Sequence, residues 1–72
     1  MSIITKVGDL WELKKSFTIC TTDYKFEKYD PGSLFIVTKM DGLNIGLLSQ
    51  ETGSESRWRD DSSHYRTFRL VS

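Results

Sequence analysis

Turn signals divide this chain into segments of strand character, and that pattern limits the possible folds more than any other feature. Gly8-Asp9, Asp30-Pro31-Gly32, Asp41-Gly42 and the Glu51 to Ser56 stretch around Gly53 are the breaks. Each is rich in residues that supply a positive or preset φ. The pieces between them have strand character. In Asp9 to Lys14, Trp11 and Leu13 alternate with Glu12 and Lys14, so one face is buried and the other wetted. Leu10 falls on the polar side and must be covered or tolerated. In Ser33 to Met40, Phe35 and Val37 share one face, and Leu34, Ile36 and Met40 share the other. Apolar residues on both faces suit a strand in the middle of a closed or sandwiched sheet.

Asp41-Gly42 reads as the central pair of a tight hairpin turn with φ > 0 at both positions. It leads into a third strand, Leu43 to Gln50, with Leu43, Ile45 and Leu47 on one face and Gly46 marking a bend or bulge. A short fourth strand is expected around Arg57 to Arg59. The last runs from Tyr65 to Val71, with Phe68 and Leu70 set against Tyr65, Thr67, Arg69 and Val71.

Composition agrees. The chain has no alanine, and 24 of its 72 residues are Val, Ile, Thr, Phe, Tyr or Trp, which argues against a helical bundle. The longest apolar run, Leu34 to Val37, cannot span a bilayer. Met1 to Asp9 does not read as a signal peptide. A single cysteine, Cys20, makes no internal disulfide and suits a reducing, cytoplasmic setting. One His and one Cys are a poor start for a zinc site, so neither metal nor cofactor is expected.

The piece between the first two predicted strands, Ser16 to Gly32, holds Phe17, Ile19, Tyr24, Phe26 and Tyr29. It is too aromatic for a free linker and reads as an ordered excursion, with Ile19, Thr21 and Thr22 extending a strand and Tyr24 to Tyr29 forming a hairpin arm. Closing five short antiparallel strands into a small barrel disposes of both sheet edges. The expected fold is therefore all-β: a single domain over residues 1–72, a five-stranded barrel with a long first loop. Residues 1–6 are expected to form a flexible N-terminal segment.

At this point the chain resembles the SH3-like barrels, and among them the KOW-like small barrels. The residues carrying the resemblance are Gly8-Asp9-Leu10-Trp11-Glu12-Leu13-Lys14, Pro31-Gly32-Ser33-Leu34-Phe35-Ile36-Val37 and the closing Phe68-Arg69-Leu70-Val71. The chain is also similar to small proteins of tailed-phage genomes. In SH3-like barrels the long first loop flanks the ligand groove, so the resemblance implies Tyr24 and Tyr29 as contact residues. The ALYDY-type motif that supports polyproline recognition is absent here. Alternation along the arm puts Tyr24, Phe26 and Lys28 on one face and Lys25, Glu27 and Tyr29 on the other. In the plainest reading, Phe26 and one tyrosine cap the open end of the barrel.

Nothing in the chain assembles a catalytic constellation. His64 sits in Asp60-Asp61-Ser62-Ser63-His64, too compressed for an oriented triad. Cys20 has no adjoining cation to activate it and is expected to be a buried or half-buried small residue. Gly42, Gly46 and Gly53 are dispersed and build no phosphate loop. No enzyme is expected.

The charge pattern is more informative. Lys and Arg total 10 against 10 acids, yet every lysine lies at or before Lys39 and every arginine at or after Arg57. With Trp58 turned inward, Arg57 and Arg59 point outward together, and Arg69 is likewise outward. The candidate partner-binding residues are Arg57, Arg59, Tyr65, Arg69, Tyr24 and Tyr29. Such a set suits a protein interface, where Arg and Tyr are favoured anchors, or a single-stranded nucleic-acid platform. Alternatively, the arginines pair with Asp60, Asp61 or Glu55 and only keep the domain soluble. The leading expectation is a non-catalytic protein–protein interaction factor docking on a larger host or viral assembly. Nucleic-acid or nucleoprotein binding by a KOW-like module is the alternative.

Overall fold

The computed structural model describes residues 5–59 and 66–71. The protein is all-β and has two sheets. The strands are β1 (Leu10–Leu13), β2 (Phe17–Cys20), β3 (Phe26–Tyr29), β4 (Leu34–Asp41), β5 (Asn44–Ser49), β6 (Glu55–Arg59) and β7 (Phe68–Leu70). One sheet has the order β6-β5-β4-β1-β7, and β2 and β3 form the second as a hairpin. The aromatic excursion is thus ordered, and it supplies the two strands beyond the five expected. The last strand is shorter than predicted, because Arg66 and Thr67 have helical backbone.

Alternation places the core where the sequence predicts it in β1 and the first half of β4. Trp11, Leu13, Phe35 and Val37 are buried, joined by Ile45, Leu47 and Phe68 from the same sheet and by Ile19 and Tyr29 from the hairpin. Leu10, Leu34 and Ile36 on the opposite face are half-buried. The sheet is strongly coiled. If it were flat, its edge strands would lie about 19 Å apart, four strand spacings. Instead the rings of Trp58 on β6 and Phe68 on β7 meet edge to face with centroids 4.8 Å apart. Among the described residues no ladder joins β6 to β7, so the hydrogen bonding does not close.

Two local readings need correction. The register of β4 on β5 shifts between Val37 and Lys39, so the bulge lies in β4, opposite Gly46, and not in β5. The extra residue reverses the alternation. Met40, expected on the face of Leu34 and Ile36, packs against the core instead. In the following turn Asp41 pairs with Asn44 as the last rung of the ladder. The central residues are therefore Gly42 and Leu43, with φ 62° at Gly42 alone. That is the II′ pattern, with glycine first. Leu43 projects into solvent, 56% exposed, and does not join Ile45 and Leu47.

The Asp30-Pro31-Gly32-Ser33 turn behaves as its residues require. Gly32 has φ 97°, and Ser33 N–H donates to Asp30 C=O at 3.2 Å, as in a type II turn with Pro and Gly at its centre. At the N-terminal end, Thr5 is buried and Lys6 N–H donates to Asp9 Oδ2 at 2.8 Å. Residues 1–4 of the segment expected to be flexible lie outside the described residues.

Candidate functional site

Among the described residues, the β2–β3 hairpin carries the most exposed aromatic rings. Its tip, Thr21 to Lys25, is closed by Thr21: the C=O accepts from Tyr24 N–H at 2.9 Å, and the N–H donates to Lys25 C=O at 2.8 Å. Thr21 Oγ1 also accepts from Lys25 N–H at 3.2 Å. A three-residue loop of this kind ends in a left-handed residue, normally glycine. No glycine is present, and Tyr24 takes that position with φ 61°. Its ring is 88% exposed, so no burial offsets the backbone strain. Tyr24→Gly should raise the free energy of unfolding by about 0.5–1 kcal/mol, the relief of the left-handed penalty less the entropy of a new glycine. Urea titration checks this, and a less stable variant would contradict the strain. An exposed aromatic held at a local cost is the kind of outlier that points to use.

Pairing of Cys20 with Phe26 and Thr18 with Lys28 puts these four residues on the outer face of the hairpin. All four are exposed. Phe26, 76% exposed, caps nothing. Cys20 is exposed too, contrary to the buried position expected, because Ile19 takes the inward place beside it. On the inner face Phe17 lies 5.5 Å from Trp58, and Tyr29 meets Phe35 edge to face at 5.1 Å.

The hairpin is fastened to the main sheet in two places. At its tip Thr21 bridges Ser56, and Thr22 N–H donates to Glu55 C=O at 2.8 Å. Near its base the Glu27 carboxylate accepts from Tyr29 Oη and from Ser54 Oγ at 3.1 Å. Thr52 Oγ1 lies 2.8 Å from Tyr29 Oη. The β5–β6 turn that presents Thr52 and Ser54 is held by Ser49, whose Oγ accepts from the N–H of Glu51 and of Thr52, each at 3.2 Å.

These bonds, with that from Tyr29 foremost, hold the Glu27 carboxyl below its ordinary value of 4.5. The folded state therefore binds fewer protons there than the unfolded state, and stability rises with pH across that window. The contribution is complete above the ordinary glutamate value and is lost as pH falls through the depressed folded one. Unfolding titrations from neutrality down past pH 4.5 should show a flatter acid limb in Glu27→Gln than in the parent. Parallel curves would rule the latch out.

Docking the tip on β6 brings Tyr24 to Arg57. Cys20, Thr21, Thr22, Tyr24 and Arg57 line an open depression of about 250 Å³. Beyond Arg57 lies a second, of about 230 Å³, lined by Lys39, Asp41, Asn44, Ile45, Gly46 and Glu55 as well as Arg57. Lys39, Gly46 and Arg57 are successive partners across β4, β5 and β6. Lys39 and Arg57 thus flank Gly46 in one cross-strand row, and Lys39 Cβ and Thr38 Oγ1 close over the glycine.

Of the predicted site residues, Tyr24 and Arg57 are thus brought together. Arg59 is exposed one row further along β6, paired with Asn44. Arg69 is exposed on the other edge strand, opposite Glu12, and lines neither depression. Tyr29 turns inward, 4% exposed, with its hydroxyl bound to Glu27, so its ring belongs to the core. Tyr65 lies outside the described residues, as do His64, Asp60 and Asp61. The carboxylate of Glu55, the remaining acid considered as an arginine partner, accepts from Thr38 Oγ1 at 3.4 Å.

Among the described residues no group of three or more His, Cys, Asp and Glu side chains could hold a metal ion. None of the described helical backbone is long and apolar enough to cross a membrane. No family model, curated protein or solved structure matches the chain. The surface of the hairpin and β6 must therefore be read from its own chemistry.

Proposed function

We propose that the protein is a non-catalytic binding module built as an SH3-like barrel, and that it docks on a protein of a larger host or viral assembly through the β2–β3 hairpin. The strand order, the coiled five-stranded sheet and the hairpin inserted between β1 and β4 support the SH3-like reading. One observation carries the function: Tyr24 stands 88% exposed on strained backbone, with Phe26 exposed on the same hairpin and Arg57 lining the same depression as Tyr24. Exposed aromatic and arginine side chains on a rigid element are the usual anchors of protein interfaces. The net charge of zero favours protein over nucleic acid, whose binding modules normally carry a clear basic excess.

A photo-crosslinking phenylalanine analogue at position 24, expressed in the native cellular setting, tests the proposal. One dominant protein adduct is expected, lost with Phe26→Ser and absent when the analogue replaces Leu43. Nucleic-acid adducts at position 24, or no adduct, would overturn it.

A further inference from the structure

We infer that the two depressions flanking Arg57 form one track for an extended segment of a protein partner that carries an acidic residue, its carboxylate seated on the Arg57 guanidinium. The inference rests on the docking role proposed for the hairpin and adds the chemistry of what docks. Its basis is that Arg57 is the shared wall of both depressions.

On the hairpin side, the described lining comprises Cys20, Thr21, Thr22, Tyr24 and Arg57, so Arg57 supplies its only full charge at neutral pH. The hydroxyls of Thr22 and Tyr24 add neutral donors, and the Tyr24 ring offers a flat apolar wall. On the sheet side, the second depression holds Lys39, a second cation in the same cross-strand row as Arg57. Asp41 and Glu55 also line this second depression. They would repel a uniformly acidic chain there, and this places the recognised carboxylate over Arg57 and the first depression. A guanidinium binds a carboxylate through two parallel hydrogen bonds, a geometry that lysine does not reproduce.

Three pools of end-blocked decapeptides test the inference against the full-length, ¹⁵N-labelled protein. Each has tyrosines flanking a central pair, which is Asp/Glu in the first pool, Asn/Gln in the second and Lys in the third. The acidic pool should shift the amides of Thr22, Tyr24, Gly46 and Arg57 saturably and bind about tenfold more tightly than the amide pool. Its affinity should fall with salt. Arg57→Gln, at an exposed position, should reduce that affinity about tenfold and leave the melting temperature unchanged. Arg57→Lys should restore only part of it.

Equal binding of the acidic and amide pools would overturn the inference, as would undiminished binding by Arg57→Gln or shifts confined to the Arg69 strand. Tighter binding of a pyrimidine dodecanucleotide at the same amides would also overturn it, by assigning the track to nucleic acid. If the lysine or amide pool binds best around Tyr24 and Phe26, the acidic class fails while the docking surface stands. The docking surface itself falls only with the crosslinking result at position 24.

Discussion

Trp11→Ala and Phe35→Ala each lose about 3–5 kcal/mol of unfolding free energy, the range for deleting a large buried aromatic side chain. Both residues are 1% exposed, and they face each other across β1 and β4. Phe35 is also the hub of an aromatic cluster, with ring centroids 5.1 Å from Tyr29 and 5.4 Å from Phe68. A domain of this size is stable by only about 4–11 kcal/mol, so either truncation removes a large share of that stability and is expected to leave the domain marginally folded. Because the two side chains are neighbours, the double variant should lose less than the sum of the single losses. Leu43→Ala, at a solvent-facing turn position, should change stability by no more than about 0.5 kcal/mol. Denaturant titration followed by circular dichroism separates these outcomes. Parent-like midpoints in both core variants would mean that the interior has been assigned to the wrong residues.

Gly46→Val has the second largest expected effect. A Cβ at this position would stand 3.1 Å from Lys39 Cβ and 3.3 Å from Thr38 Oγ1, the residues that form the bulge. One carbon needs the bulge to give by a few tenths of an ångström. The two further carbons of valine need more, and the cost should be about 1–3 kcal/mol. Gly46→Ala should change stability by less than about 1 kcal/mol, because relief of glycine's entropy opposes the contact. The valine variant should also loosen Met40, which reaches the core only because the bulge reverses the alternation of β4. An unaltered melting curve for Gly46→Val would show that the bulge is not held by close approach at this glycine.

The candidate site was partly legible. Alternation alone set Trp58 apart from Arg57 and Arg59, and it grouped Tyr24, Phe26 and Lys28 on one face of the arm. What it could not supply was which face of the arm turns outward. Tyr24 and Tyr29 are equivalent candidates on paper, yet one is 88% exposed and the other 4%. The difference arises because Ile19 and Tyr29 together complete the core, while the opposite face has nothing to pack against. Cys20 follows the same logic: it is expected at least half-buried, and register with Phe26 puts it outside. Tyr24 and Arg57, 33 positions apart, come to line one depression through a bridge between Thr21 and Ser56 that no local pattern signals.

Residue type and spacing by themselves determined that this chain forms short strands, where most of its turns fall, and that Trp11, Leu13, Phe35 and Val37 are interior. These outcomes depend on side-chain alternation and on φ at a few positions, both of which act within a handful of residues. Only the tertiary structure decided that β4 carries the bulge, that Met40 turns inward, that the excursion forms a second sheet, and that its tip docks on β6. Each of these depends on which distant strand lies alongside. That choice is made by burial of the shared core, a property of the assembled molecule and not of any one segment.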